Sequence, residues 1–345
     1  MDTPARGNTR FDIASLPLPV IQAPMAGGPS TPELAAAVSS RGGLGFLAAG
    51  YKTAAAVKAE IEATRKLTGA PVGVNVFVPQ PSMVSSRALE EYALSLAPDA
   101  QRFGVALGDP RHDDDDWDNK IDVLLEKAPE AVSFTFDVPD PAVVAALQQR
   151  GVCVIGTVTS RPEAVRALEA GVDVLCVQGP EAGGHRGSFD AARRPEGESL
   201  HGLLEELADL GVPLIAAGGI VTGADTREAL SRGAAAVQAG TAFLRADEAG
   251  TKEAHRLALA PGRFTTTGVT RAFSGRNARG LLNEFMRRHD GGAPEGYPEV
   301  HHLTTPLRAA AAAAGDADWL NLWAGTGFQR TTAGPASAIL ASLTP

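Results

Sequence analysis

The chain has 345 residues, 44% of them hydrophobic, and its mean hydropathy is −0.03. This length accommodates one large α/β barrel with an additional segment, and the composition is that of a globular protein with a sizeable core. The net charge of −9, without a cluster of lysines and arginines, argues against nucleic acid or an anionic membrane as the main partner.

Two further features bear on the compartment and on metal chemistry. The opening MDTPARGNTR is polar and lacks an apolar segment of the signal-peptide type, and no run approaches the ~18 apolar residues of a membrane span. We therefore expect a cytoplasmic protein. Cys153 and Cys176 each lie in an apolar run without C-x-x-C spacing, which favours buried core thiols over a disulfide or a metal site.

The dominant pattern is a short apolar strand, a loop, an amphipathic helix that ends at glycine, and another strand. The first unit has a strand at 20–25 and a helix that begins at Thr31–Pro32 and ends at Gly42–Gly43. The same order recurs in a helix that ends at Gly171 and in one that ends at Gly233. The predicted strands are 20–25, 45–49, 72–77, 131–137, 152–158, 173–178, 213–217 and 234–239.

Eight such units predict the fold class. Continuous apolar strands that alternate with helices indicate a parallel sheet covered by helices, and eight of them match a (β/α)₈ TIM barrel better than an open doubly wound sheet. A Rossmann fold would place G-x-G-x-x-G between a strand and a helix. The nearest match, GLGFLA at 43–48, lies instead between a helix and the following strand.

Two segments do not fit the repeat. Residues 78–130 form an insertion after the third strand that contains the acidic run Asp113–Asp116, which we interpret as a solvated loop and helix start. After about residue 250 the barrel pattern stops. The predicted organisation is a barrel of residues 1–250 with the insertion at 78–130, followed by a helical cap domain of residues 251–345.

Glycine-rich loops after the last two strands predict a phosphate site. Barrel enzymes build their sites from loops at the carboxyl ends of strands and often hold phosphate after strands seven and eight. Gly218–Gly219 follows the seventh strand, and Gly240–Thr241 follows the eighth and leads into a predicted short helix at 241–248. Either loop alone could simply end a strand, but together they favour a phosphate-bearing ligand held by backbone N–H groups.

A histidine enclosed by glycines follows the sixth strand in the stretch EAGGHRGS, residues 181–188. In a barrel, this loop opens on the same face as the two glycine-rich loops, so we predict that His185 faces a ligand. The alternative is a flexible surface loop. Asn75 and Gln178 end the third and sixth strands. A carboxamide there suits the polar edge of a flat ring, although it could also cap a loop.

These stretches resemble a known family. QAPMAGG (22–28), GVNVF (73–77), VSFTF (132–136), QGPEAGGHRGSF (178–189), AAGGI (216–220) and GAAAVQAGTAFL (233–244) are similar to the nitronate monooxygenases, formerly called 2-nitropropane dioxygenases. The similarity continues through YPEVHHL and NLWAGTGF in the tail. One departure is Asp137, where the family pattern has glycine after the strand; we expect it to alter the substrate wall and not the flavin site.

The resemblance implies an FMN-dependent barrel that oxidises alkyl nitronates, and neutral nitroalkanes if a base removes the α-proton, with O₂ to carbonyl compounds and nitrite. It makes His185 the active-site histidine, supplying a hydrogen bond or acting as general base. Tyr297 and His302, in a polar stretch of the tail, are proposed to confine the substrate anion unless they are surface residues. Carried onto this sequence, the FMN contacts are Ala23, Pro24, Met25, Asn75, Gln178, Gly183, Gly218, Gly219, Gln238, Ala239, Gly240 and Thr241.

Two alternatives remain open at this point. An FMN- and NADH-dependent enoyl-acyl-carrier-protein reductase would have a similar fold and a comparable glycine–histidine loop, and a second-site nicotinamide need not leave a dinucleotide fingerprint. A non-catalytic flavin- or phosphate-binding barrel is the other alternative. The sequence does not determine the preferred nitronate or the oligomeric state.

Overall fold

The computed structural model describes residues 10–194 and 197–345. Eight parallel strands close into a barrel in the order β1-β2-β3-β4-β5-β6-β8-β9, and β7 joins β10 and β11 in a small second sheet. The strands are β1 Val20–Gln22, β2 Leu44–Ala48, β3 Val72–Phe77, β4 Ala131–Thr135, β5 Cys153–Val158, β6 Val174–Gln178, β7 Gly184–His185, β8 Leu214–Ala217, β9 Ala236–Ala239, β10 Thr267–Thr270 and β11 Ala278–Leu281.

All eight predicted barrel strands are present, and the predicted TIM barrel is confirmed. The first is shorter than predicted, because residues 23–25 leave the barrel after Gln22 and form a loop at its carboxyl end. The short helix predicted at 241–248 is a 3₁₀ helix over Thr241–Arg245. The interior of the barrel is filled by apolar side chains that include Cys153 and Cys176, so their predicted burial is confirmed.

The helices cover the barrel and build a second core. They are α1 Pro32–Ser39, α2 Ala54–Leu67, α3 Ser86–Arg102, α4 Trp117–Lys127, α5 Pro141–Gln149, α6 Arg161–Glu169, α7 Leu200–Leu207, α8 Gly223–Ser231, α9 Glu253–Ala258, α10 Glu284–His289, α11 Glu299–Ala313 and α12 Ala336–Leu343. Local chemistry fixes several helix starts. Thr31 accepts a hydrogen bond from Leu34 N, and Thr222 and Asp225 form a complete capping box on α8.

The insertion after β3 is divided between the two cores. Helix α4 packs on the barrel through Ile121 and Leu124 and is therefore the barrel helix of this unit. Helix α3 contributes Leu89 and Leu96 to a second hydrophobic cluster formed mainly by residues after 257. This division explains why the segment is longer than one helix requires.

The region after residue 250 differs from a purely helical cap. It contains the antiparallel pair β10–β11, and β11 also pairs with β7 in the histidine loop. Its last helix, α12, returns to the barrel, where Ile339, Leu340 and Leu343 are buried in the barrel cluster. The apolar face of α12 covers α1 and α8 and completes the ring of helices. The division of the chain at residue 250 remains a prediction.

Within residues 10–194 and 197–345, no helix is both long and apolar enough to span a membrane.

Candidate active site

A cavity of about 350 Å³ lies at the carboxyl end of the barrel, under the segment that follows residue 250. Its volume is that of a small-molecule or cofactor site. Of the predicted site residues, the cavity is lined by Ala23, Pro24, Met25, Asn75, Gln178, Gly183, His185, Gly218, Gly219, Gln238, Gly240 and Thr241. Ala239 is buried next to this wall, and Tyr297 and His302 are outside the lining set.

The two glycine loops present unpaired backbone donors. The N–H groups of residues 218–220 and of 240–241 make no hydrogen bond to another described residue. Gly218 and Gly219 have φ of +120° and +72°, and a Cβ on Gly218 would lie 3.0 Å from Ala182 N, so side chains are excluded by conformation and by space. Thr241 Oγ1 accepts from Gly325 N at 2.9 Å, which leaves its hydroxyl proton free to donate. The donor set fits a phosphate group.

The loop that carries His185 is fixed at several points. Gln178 Nε2 donates to the His185 carbonyl at 3.0 Å, and Gln178 Oε1 accepts from Gly187 N at 2.8 Å. His185 pairs with Ala278 across β7 and β11. A Cβ on Gly183 would collide with the backbone of Gly325, so the loop packs closely against the C-terminal segment. The loop is thus ordered and shaped around the cavity, and Gln178 acts as its anchor.

The imidazole of His185 lies among aromatic rings. Its centroid is 5.7 Å from the Tyr297 ring, 5.5 Å from the Trp323 ring and 5.9 Å from the Phe136 ring. Nε2 is 2.8 Å from Ser274 Oγ, and that hydroxyl donates to a backbone carbonyl at 3.3 Å. We therefore assign the ring proton to Nε2 and the lone pair to Nδ1.

Burial and two nearby guanidinium groups keep His185 neutral. Desolvation is the largest cause, followed by the charges of Arg276 and Arg308, and together they lower the pKa of His185 to about 3. Arg276 is 2% exposed, lies over the Phe136 ring at 3.9 Å and donates to Gln80 Oε1 at 2.6 Å. Neither arginine forms an ion pair with a carboxylate of the described residues, although Glu163, Glu295 and Asp190 act on Arg276 from a greater distance. Of the two, Arg308 lines the cavity and makes this side positive.

Several lining residues were not identified as site residues from the sequence. Tyr51 and His301 both line the cavity, and their rings stack with centroids 4.1 Å apart and planes 1° apart. Arg308 lines it too, and its Nη2 donates to the His301 carbonyl at 2.9 Å. His301 and Arg308 belong to the same polar stretch of the tail as Tyr297 and His302, but no local sequence pattern marks Tyr51 as a site residue.

The two predicted tail residues are placed differently. Tyr297 lies behind the cavity wall against His185, and its hydroxyl is beside that of Tyr51 without reaching hydrogen-bond geometry. Desolvation raises the pKa of Tyr51 to about 12 and that of Tyr297 well above its ordinary value, so both hydroxyls stay protonated. His302 points away from the cavity, with Nε2 2.7 Å from Asp113 Oδ2.

The acidic run Asp113–Asp116 precedes α4 as predicted, but the carboxylates of Asp113, Asp115 and Asp116 also contact groups from other parts of the chain. Asp115 Oδ1 accepts from Tyr51 N at 2.9 Å, and Asp115 Oδ2 is 2.7 Å from Nζ of the buried Lys120. Asp116 Oδ2 accepts from Ala54 N at 2.7 Å at the start of α2. Only Asp114 is exposed. Charge patterning could not reveal these partners, because they come from other parts of the chain.

Asp137 replaces the expected glycine next to a strained residue. Phe136 has φ of +83°, which is unusual for an aromatic residue, and its ring stacks on Phe77 at 4.6 Å. Asp137 Oδ2 accepts from Arg166 Nη2 at 2.9 Å on the outside of the barrel. The departure therefore lies next to the aromatic wall and away from the glycine loops.

Comparisons with known proteins agree with this architecture. A family model described as nitronate monooxygenase matches residues 10–345. A probable nitronate monooxygenase from Staphylococcus saprophyticus is 38% identical over 322 residues, which are 91% of this chain and 90% of that protein.

Solved structures extend the agreement to three dimensions. Nitroalkane oxidase from Streptomyces ansochromogenes has a TM-score of 0.92 and 47% identity, with 95% of each chain covered. FabK from Thermotoga maritima has a TM-score of 0.73 and 25% identity, covering 96% of this chain and 93% of that one. The resemblance found in the sequence is confirmed, and the chain belongs to the nitronate monooxygenase family of flavin-dependent oxidoreductases.

Proposed function

We propose that this protein is an FMN-dependent nitronate monooxygenase, which oxidises alkyl nitronates with O₂ to carbonyl compounds and nitrite. The observation that carries the proposal is the single cavity in which two glycine loops with unpaired N–H groups share a wall with a neutral histidine and an unpaired arginine. A phosphate-bearing cofactor fits the loops, and an anionic substrate fits the positive side.

Residues from several strands would hold the cofactor. Backbone N–H groups of Gly218–Gly219 and Gly240–Thr241 would bind the one phosphate of FMN, since only one set of such loops is present among the cavity-lining residues. The other proposed contacts, carried over from the family, are Ala23, Pro24, Met25, Asn75, Gln178, Gly183, Gln238 and Ala239. When bound, FMN supplies the electron-accepting chemistry, and the protein supplies orientation and electrostatics.

His185 and the arginines would act on the substrate. The charges of Arg276 and Arg308 would attract the nitronate anion and favour it over neutral ligands of the same shape. The Nδ1 lone pair of His185 would take the α-proton of a neutral nitroalkane, and the charge then left on the substrate lies in a field that stabilises it. The protonated hydroxyl of Tyr51 lines the cavity and has no hydrogen-bond partner among the described residues, so it is available as a donor at the same side.

The similarity to a nitroalkane oxidase at 47% identity supports neutral nitroalkanes as additional substrates. The use of O₂ and a cytoplasmic location remain predictions of the sequence.

The test uses purified holoprotein. Heat-released cofactor is compared with FMN and FAD standards, and FMN is the expected product. Under anaerobic conditions, a nitronate should bleach the flavin and NADH should not. In air, nitrite should form in proportion to nitronate consumed. Bleaching by NADH together with inertness towards nitronates would support the enoyl reductase alternative, and an absence of bound flavin would support the non-catalytic one.

A further inference from the structure

The acidic run Asp113–Asp116 connects the two partners of the Tyr51–His301 stack. Tyr51 comes from the loop after β2, and its N–H donates to Asp115 Oδ1 at 2.9 Å. His301 comes from α11, and the adjacent His302 is held by Asp113 Oδ2 at 2.7 Å. One short segment of the insertion therefore holds the backbone of Tyr51 on the barrel side and the residue next to His301 on the cap side.

Tyr51 needs such support because its backbone is strained. Its φ of +67° lies in the left-handed region, which aromatic residues rarely adopt and which persists only where the surroundings hold it. The Asp115 carboxylate is the hydrogen-bond acceptor for the Tyr51 amide. Without that acceptor, the Tyr51 amide would lose its hydrogen-bond partner, and the ring would be held only by its contacts with His301, Phe77 and Tyr297.

Asp115 is itself rigidly placed. Its Oδ2 is 2.7 Å from Lys120 Nζ, the Lys120 side chain is 1% exposed, and Asp115 N donates to Asp113 Oδ1 at 3.2 Å. The carboxylate thus has one oxygen for the lysine and one for Tyr51. A group held on both sides can fix the position of a neighbouring backbone to a fraction of an ångström.

The stack forms part of the cavity wall. Tyr51, His301 and Phe77 all line the cavity, and the rings of Tyr51 and His301 are stacked face to face, so that each ring supports the other. This stacked pair lies next to Arg308 in the cavity wall and limits the space for the alkyl part of a bound nitronate. Moving the Tyr51 ring would therefore change which alkyl groups fit.

We propose that the acidic run is a clasp for the Tyr51–His301 stack and that Asp115 is a positioning residue that sets the alkyl-size selectivity of the site. The nitronate substrate class rests on the proposed function. The clasp itself rests on the contacts of Asp113 and Asp115 alone.

The matched pair of variants is Asp115→Ala/Lys120→Met and Asp115→Asn/Lys120→Met. Both remove the buried charge pair, and they differ only in whether position 115 can accept from Tyr51 N. Amide hydrogen exchange of the peptide that contains Tyr51 should be at least about tenfold faster in the alanine variant and near wild type in the asparagine variant. Asp114→Ala, which removes an exposed carboxylate of the same run, is the control and should exchange like wild type.

Selectivity is measured on the same holoproteins as the ratio of kcat/KM for ethyl nitronate to that for the branched 2-propyl nitronate. We expect this ratio to change at least about fivefold in the alanine variant, mainly through KM, and to return towards wild type in the asparagine variant, with equal flavin content. Equal exchange in the pair would overturn the clasp, and equal ratios would overturn the selectivity role. If the alanine variant does not fold, Asp113→Ala replaces it, and an unchanged ratio there overturns the proposal.

The two levels of failure can be told apart. A wild-type protein that does not oxidise either nitronate would overturn the proposed function and the selectivity role together. The exchange measurement would still decide whether Asp115 holds Tyr51.

Discussion

Replacing His185 with asparagine separates base catalysis from simple hydrogen bonding. The imidazole is 2.8 Å from Ser274 Oγ, and its pKa is lowered to about 3 by desolvation and by the charges of Arg276 and Arg308. At pH 7 such a group is protonated in about one molecule in 10⁴, so the lone pair of Nδ1 is available, but the same low pKa makes the imidazole a weak base. Asparagine keeps a hydrogen-bond donor but has no comparable base.

The expected losses differ between the two substrates. General-base catalysis is worth about 10²–10⁴ in rate, and a base with a strongly lowered pKa lies at the lower end, so kcat/KM for a neutral nitroalkane should fall about 10²-fold in His185→Asn. A preformed nitronate needs no base, and a changed neutral hydrogen bond is worth about 1 kcal/mol, or about fivefold. Flavin content should stay unchanged, because the glycine loops follow β8 and β9 and do not depend on the imidazole.

The assay measures oxygen uptake and nitrite for nitroethane and for ethyl nitronate, with flavin content checked by absorbance. His201→Asn, the same change on the outer helix α7, is the matched control and should leave both rates unaltered. A base works in its neutral form, so activity with the nitroalkane should be lost only as pH falls through about 3; an inflection near 6.5 would contradict the perturbed pKa. Equal losses on both substrates would refute the base role.

Three further predictions concern the phosphate loop, the substrate anion and the buried ion pair. Gly219→Val places a branched side chain at φ of +72°, with Cβ 3.2 Å from Glu181 Cβ. Flavin content should therefore fall at least about tenfold while far-UV circular dichroism stays unchanged, and retained flavin would argue against this loop as the phosphate site. Arg308→Met removes a charged hydrogen-bond donor whose contribution to anion binding is about 1.5–3 kcal/mol, so KM for a nitronate should rise roughly 10- to 100-fold with little change in flavin content. An unchanged KM would mean that the anion binds elsewhere. Lys120→Met leaves Asp115 unpaired, so the free energy of unfolding in urea should fall by about 3–5 kcal/mol. The double variant Asp115→Asn/Lys120→Met should recover this loss, and equal stability of the single and double variants would show that Asp115 and Lys120 are not coupled.

The signals that the sequence did contain are local. Each strand–helix unit carries its own apolar period, cap and terminal glycine, so all eight strands and the barrel were predictable. The glycine loops after β8 and β9 and the loop around His185 are contiguous stretches, and parallel topology brings the carboxyl ends of all strands to one face. Most of the predicted flavin contacts therefore line the cavity.

Other parts of the site have no local signal. Tyr51, Asp115 and His301 are widely separated in sequence, and an isolated tyrosine or an acidic run looks the same whether it is solvated or buried. The sequence offered Tyr297 or His302 as a substrate contact beside the alternative of surface residues, and the orientation of α11 turns His301 to the cavity and His302 to Asp113. A shift of one residue on a helix changes the side-chain direction by about 100°, so packing alone decides which histidine faces inward.

The sequence by itself determined the barrel, the glycine loops after β8 and β9 and the histidine loop, because each depends on residues that are neighbours along the chain. Only the tertiary structure decided that Asp115 supports Tyr51, that α12 returns to the barrel, and that burial, together with the charges of Arg276 and Arg308, keeps His185 neutral. These features arise from burial between two hydrophobic cores, and desolvation and charge interactions depend on distances in space rather than on spacing along the chain.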